Sequence, residues 1–154
     1  ASQALAEMRA MVRVLRRGEP AELAPRPRIA DLLTLANRAH APVVDVEILG
    51  DIDDLPLSVG TAIFRLAQES VTNARRHARH ATRIEVRVAA DDTSVRLRVS
   101  DDGDTRPLGA GPPGYGLVGM AERAGLLGGT CEAGPNPDRG WTVTAVLPRT
   151  GSIA

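Results

Sequence analysis

The chain is 154 residues long and carries 19 Lys and Arg against 19 Asp and Glu, a formal net charge of zero. That length allows one domain, or one domain with an appendage, and the even charge weighs against a nucleic-acid or anionic-membrane binder, which favours a basic excess. With 43% hydrophobic and 25% charged residues, disorder of the whole chain is excluded. The single Cys131 excludes an internal disulfide framework and a Cys-rich zinc module. No run approaches the roughly 18 apolar residues of a membrane span, and no signal peptide is visible. Phe64, Tyr115 and Trp141 are the only aromatics, so the core must be aliphatic. The chain opens on Ala1 without an initiator Met and reads as part of something longer.

Residues Ser2 to Arg17 are predicted to be a helix, with Leu5, Met8, Val12 and Leu15 at the a/d spacing of a coiled coil. An ordinary amphipathic helix has the same spacing. Gly18, Pro20, Pro25 and Pro27 then mark a linker over 18–27. Arg28 to Ala41 is predicted as a second amphipathic helix, with Ile29, Leu32, Leu33 and Ala36 on one side. Val43 to Leu49 alternates as a half-buried strand does. Leu57 to Ala78 is the longest helix, striped by Ile63, Leu66, Ala67, Val71 and Ala74. Strands follow at Thr82 to Ala89 and Ser94 to Ser100. A Gly/Pro-rich loop runs from Asp102 to Tyr115, then a short helix from Leu117 to Leu127 and closing strands at Thr130 to Ala133 and Trp141 to Leu147. This order predicts an α+β two-layer sandwich, one mixed, mostly antiparallel sheet with helices on one face.

Three features carry chemistry. On the long helix Glu69 and Asn73 are four residues apart and share a face, which Arg76 and His77 continue. A solvated helix face has the same composition, although an interior Asn is mildly unfavourable and asks for a reason. The strand phase of Val95, Leu97 and Val99 delivers Asp101 to the core side, just before Asp102, Gly103 and Asp104. A carboxylate there must be partnered, while an ordinary Asp-Asp-Gly turn needs no ligand. Gly114-Tyr115-Gly116-Leu117-Val118-Gly119-Met120 opens a helix, where free N–H groups suit phosphate. A glycine-rich loop alone is a weak signal. One nucleotide site would use all three features together.

In this order the motifs resemble the ATP site of sensor histidine kinases. Arg65 to Ala78 is similar to their N box, Asp101-Asp102-Gly103 to the first glycine box, and Gly114 to Met120, with Ala121-Glu122-Arg123, to the second. The N box is most similar to that of the nitrate and membrane-fluidity sensors, which pair with LuxR-type response regulators. The resemblance implies the Bergerat ATP-binding fold over residues 28–149, shared with gyrase, MutL and Hsp90. Residues 1–17 would then be the end of a dimerisation helix and 150–154 a tail. It implies ATP and Mg²⁺ as cofactors. Asn73 would be the metal ligand and Glu69 the catalytic base. Asp101 would read the adenine amino group and Arg76 the phosphates. Gly103, Gly114, Gly116, Leu117 and Gly119 would line the nucleotide, and His77 fits the pattern without a sharp role. The implied partners are phosphoacceptor helices, absent here because none of His40, His77 and His80 has such a setting, and a response regulator with LuxR-type output. No direct contact with nucleic acid is implied. The parent would be a homodimer with this module in the cytoplasm. Three positions depart from the family pattern: Thr105 replaces a Gly, the loop Arg106 to Pro113 is short and proline-rich, and Trp141 stands where many members have Thr. A competing reading is a nucleotide-regulated interaction module, anti-sigma-like, on the same fold.

Overall fold

The computed structural model describes residues 26–105 and 115–151. The expected helix over residues 2–17, the linker up to residue 25, the loop Arg106 to Pro113 with Gly114, and the last three residues of the tail lie outside the described residues.

A seven-residue 3₁₀ segment, Ile29–Leu35, leads into β1 (Val43–Gly50). Helix α1 (Leu57–His77) follows, then β2 (Arg83–Ala90) and β3 (Ser94–Asp101). Helix α2 (Tyr115–Leu126), β4 (Thr130–Pro135) and β5 (Trp141–Pro148) are the remaining elements among the described residues. The five strands form one sheet in the order β1-β2-β3-β5-β4. Only β1 and β2 are parallel, and α1 is the crossover that such a pair requires. The chain is thus the α+β sandwich that the sequence predicts.

Strand alternation sorts the side chains. Ile84, Val86 and Val88 of β2, Val95, Leu97 and Val99 of β3, and Val143, Ala145 and Leu147 of β5 are buried on one face. Against them α1 lays Val59, Ile63, Leu66, Ala67 and Val71, spaced three and four apart as one helical stripe. Full burial of residues such as Ile63 or Leu66 contributes about 1.5–3 kcal/mol each. Helix α2 adds Met120 and Ala124 to the same core. Ser70 is buried within the stripe, but its hydroxyl donates to the Leu66 carbonyl (2.8 Å) and contacts the Met120 sulfur (3.4 Å), so its burial is compensated and it joins the two helices. The other sheet face carries charged rungs, among them Arg87 on Glu47 and Arg38 and Arg83 on Asp45.

The predicted helix over Arg28 to Ala41 is corrected to the single 3₁₀ segment. Ile29 and Leu32 are buried, but Leu33 is 59% exposed and Ala36 is exposed too. The apolar pair three apart suits the tighter 3₁₀ repeat as well as an α-helix. What ends the segment is pairing with β1: the backbones of Asn37 and Val44 exchange both hydrogen bonds, at 3.0 and 2.7 Å. Asn37 Oδ1 also accepts from the Ala39 N–H, an Asx turn that competes with helix. Thr61 of α1 anchors the approach by donating to the Pro27 carbonyl at 2.8 Å.

Candidate functional site

Helix α1 runs beneath the sheet and brings its C-terminal half to the end of β3. A face flanking the core stripe presents Glu69 and Asn73, both half-buried, and Arg76 and His77 follow in the last turn, both exposed. Arg75, Arg76 and His77 occupy the last turn, where cations suit the negative end of the helix dipole. Among the described residues, no hydrogen bond or ion pair engages the side chains of Asn73, Arg76 or His77.

Asp101 closes β3 in the phase that the strand pattern predicts. It pairs with Ile84 across the ladder and is 7% exposed. Its Oδ1 accepts the Gly103 N–H at 2.8 Å, so the carboxylate folds its own loop around itself. Gly103 is packed tightly: a Cβ there would stand 3.1 Å from Ala78 Cβ, from the Arg79 carbonyl and from Asp101 Oδ1. The close approach here is by the chain end of α1. Asp102 points the other way and receives the N–H groups of Thr82 (2.7 Å) and Arg83 (3.0 Å), with the Thr82 hydroxyl on its second oxygen. Partial burial acts to raise the Asp102 pKa, but these hydrogen bonds outweigh it and hold the carboxyl below its usual 3.8. Asp104 is held low as well, chiefly by the hydrogen bond from His80 at 2.8 Å.

Helix α2 meets α1 side by side. A Cβ at Gly116 would lie 2.8 Å from Asn73 Nδ2, so only glycine lets the first turn of α2 rest on that amide. Leu117 is half-buried against the core. At Gly119 a Cβ would meet nothing within 4 Å, so no close approach requires that glycine. Seven residues after Gly116, Arg123 Nη2 donates to Glu69 Oε1 at 2.8 Å. Glu69 and Asn73 are thus joined to α2, and Asp101 and Gly103 to the chain just past the end of α1.

Several contacts of this region had no local signal in the sequence. Asn136 Nδ2 donates to the Asp101 carbonyl at 3.2 Å, and Arg139 Nε donates to the carbonyls of Asp102 (2.8 Å) and Gly103 (3.2 Å). Thr105, at the departure from the glycine pattern, donates its hydroxyl to the Asp138 carbonyl at 3.1 Å. The β4–β5 turn thus braces the Asp101–Thr105 segment. Gly140 (φ +92°) lies so close to the Asp101 carbonyl that a Cβ would stand 1.9 Å from it. Trp141, one step past the ladder pair Ser100–Thr142, stands on the core-side face beside Asp101. Cys131 is buried, and burial, with the charges of Glu69 and Glu132, pushes its thiol up to about 11. It is protonated at neutral pH and plays no part in a nucleophilic site.

The family described as histidine kinase-, DNA gyrase B- and HSP90-like ATPase matches residues 58–151. The histidine-protein kinase/phosphatase DegS of Brevibacillus brevis is 30% identical over 147 residues, covering 95% of this chain and 38% of that protein. The histidine-protein kinase/phosphatase UhpB of Salmonella typhimurium is 34% identical over 116 residues, covering 68% of this chain and 23% of that protein. The chain therefore spans well under half the length of these relatives. Among solved structures, the histidine kinase domain of the Erythrobacter litoralis blue-light activated kinase EL346 aligns with a TM-score of 0.56 at 23% identity, over 72% of this chain and 59% of that one. The ATP binding domain of PrrB from Mycobacterium tuberculosis aligns with a TM-score of 0.53 at 20% identity, over 78% of this chain and 87% of that one. These two likenesses show the fold. With more than half of its residues matched to the family and sensor histidine kinases among its relatives, the chain belongs to the histidine kinase-, DNA gyrase B- and HSP90-like ATPases, as a domain of the sensor histidine kinase type.

Proposed function

We propose that residues 28–149 form the catalytic, ATP-binding domain of a two-component sensor kinase, which phosphorylates a His on dimerisation helices that precede it. The observation that carries this reading is the meeting of α1 and α2. The Asn73 amide is held against the first turn of α2 by the missing side chain of Gly116, at a helix start suited to phosphate.

The donor set fits Mg²⁺. Among the described residues no three His, Cys, Asp or Glu side chains gather at one point. Mg²⁺ typically takes few protein ligands and completes its shell with phosphate and water, so Asn73 Oδ1 suffices as the protein's share. When bound, the ion would neutralise phosphate charge. Asp101 accepts from the adenine amino group, and guanine is rejected because it presents a carbonyl there. Arg76 reaches the phosphates. Gly103, Gly114, Gly116 and Leu117 let the backbone close on the nucleotide, while Gly119, which no described residue crowds, and His77 have no assigned role. In the transfer step an imidazole nitrogen attacks the γ-phosphorus. The P–N bond forms as the bond to the β–γ bridging oxygen breaks, ADP leaves, and Glu69 takes the imidazole proton. Positioning and charge carry most of such a reaction.

Similarity to UhpB and to the oxygen sensor NreB of Staphylococcus carnosus, 34% identical over 94 residues, supports the further reading that the phosphate passes to an Asp on a response regulator with LuxR-type output. The parent kinase is a homodimer, and this domain works on the cytoplasmic side, where ATP is supplied. No described helix is long and apolar enough to cross a membrane.

Calorimetric titration with MgATP and MgGTP tests the site. MgATP binds and MgGTP is silent; Asn73→Ala abolishes Mg-dependent binding, and Asp101→Asn weakens the preference for adenine. Unchanged MgATP affinity in both variants would falsify the site assignment. Nucleotide binding without transfer to phosphoacceptor helices would favour the interaction-module reading instead.

A further inference from the structure

Helices α1 and α2 meet in three antiparallel rungs: Asn73 with Gly116, Ser70 with Met120, and Glu69 with Arg123. The first two are close packing and a buried hydroxyl–sulfur contact. The third is an ion pair whose side chains are 38% and 41% exposed. A pair this open contributes little to stability. Moreover, Arg123 Nε is buried without a hydrogen-bond partner among the described residues, which costs stability. The ion pair therefore adds little to a docking that the other two rungs already supply.

The contact is also one-sided. Arg123 Nη2 takes Oε1 of Glu69, and no second bond from the described residues engages Oε2. A carboxylate fixed by one oxygen keeps a chosen rotamer and retains an oxygen to receive a proton. We propose that Arg123 is a positioning residue for Glu69: it fixes the carboxylate through Oε1 so that Oε2 meets the N–H of the incoming imidazole. This rests on the reading of Glu69 as the base. Because Gly116 and Arg123 lie on one rigid helix, α2 sets both the neighbour of Asn73 and the aim of Glu69. The metal-ligand position and the proton acceptor are thereby held in fixed relation.

The test compares Arg123→Gln and Arg123→Lys in the kinase carrying its phosphoacceptor helices. Three quantities are read: MgATP affinity by calorimetry, melting temperature, and the rate of His phosphorylation at saturating MgATP. Arg123→Gln is expected to keep MgATP affinity within about twofold and to melt within a few degrees of wild type. Its kcat should fall by about 10²-fold, the scale of a misplaced catalytic group. Arg123→Lys restores part of that rate, since an ammonium can still reach Oε1 but lacks the guanidinium's planar fork. A wild-type kcat in Arg123→Gln overturns the proposal. So does a loss of rate matched by an equal loss of MgATP affinity or of folding, which would make Arg123 a brace alone. Failure of the underlying reading looks different: Glu69→Gln then phosphorylates at the wild-type rate, or the wild-type protein binds no MgATP at all.

Discussion

Gly116 and Gly119 lie on the same helix, three residues apart, yet only one of them is required by its neighbours. An added Cβ at Gly116 meets Asn73 Nδ2, the free end of a side chain that can swing aside. The cost of Gly116→Ala therefore falls on the placement of the amide and hardly on folding. It is expected to melt near wild type and to weaken MgATP binding by at least about tenfold, a change of roughly 1.4 kcal/mol. Gly119→Ala enters open space and is expected to leave affinity unchanged while stabilising α2 by about 0.5–1 kcal/mol. Calorimetry and thermal melts on both variants check this contrast. The two glycines also mark what the sequence can tell. Both belong to one motif, and nothing in the motif says which is crowded. Asp101 was legible because strand phase is a local property: three alternating apolar residues point the next one inward. Arg123 was not, because its partner lies 54 residues away and only the docking of two helices brings them together.

Among the elements, the Asp101–Thr105 segment depends most on its surroundings. Asp102 fastens it to the start of β2, and Arg139 and Asn136 fasten it to the β4–β5 turn. The lowered pKa of Asp102 fixes the sign of its pH dependence. Its contribution is fully present above the usual carboxylate value and is lost as pH falls through the lowered folded value, because the unfolded chain binds the proton first. Denaturant melts of wild type and Asp102→Asn should differ by a constant amount above about pH 5 and converge below about pH 4. Asp91 and Asp104 are lowered too, so the variant still loses stability in acid. A gap that widens on acidification would contradict the assigned hydrogen bonds. Element types were largely readable from periodicity, since β2, β3 and α1 bury the predicted side chains. The segment after Pro27 was not. Its apolar spacing fits two kinds of helix, and the decision lies with the non-local pairing of Asn37 and Val44.

On the scale of the whole molecule, the core is a single aliphatic layer between the sheet and two helices, and its weakest logic is connectivity. Among the described residues the last strand in sequence, β5, lies between β3 and β4, and β4 pairs with no strand but β5. Folding is therefore governed by contacts between distant parts of the chain, which tend to form slowly. As the polypeptide leaves the ribosome, β4 waits without a strand partner until residues 141–148 emerge. A chain ended at Gly140 is expected to lack cooperative melting and nucleotide binding together, as read by circular dichroism and calorimetry. A native-like melt in that truncation would show that the first three strands stand alone. Because Trp141 belongs to this late segment, and the turn that carries the Asn136 brace on Asp101 is anchored by it, an unfinished chain leaves the proposed nucleotide pocket incomplete, and birth of the fold and birth of that pocket are a single event in synthesis.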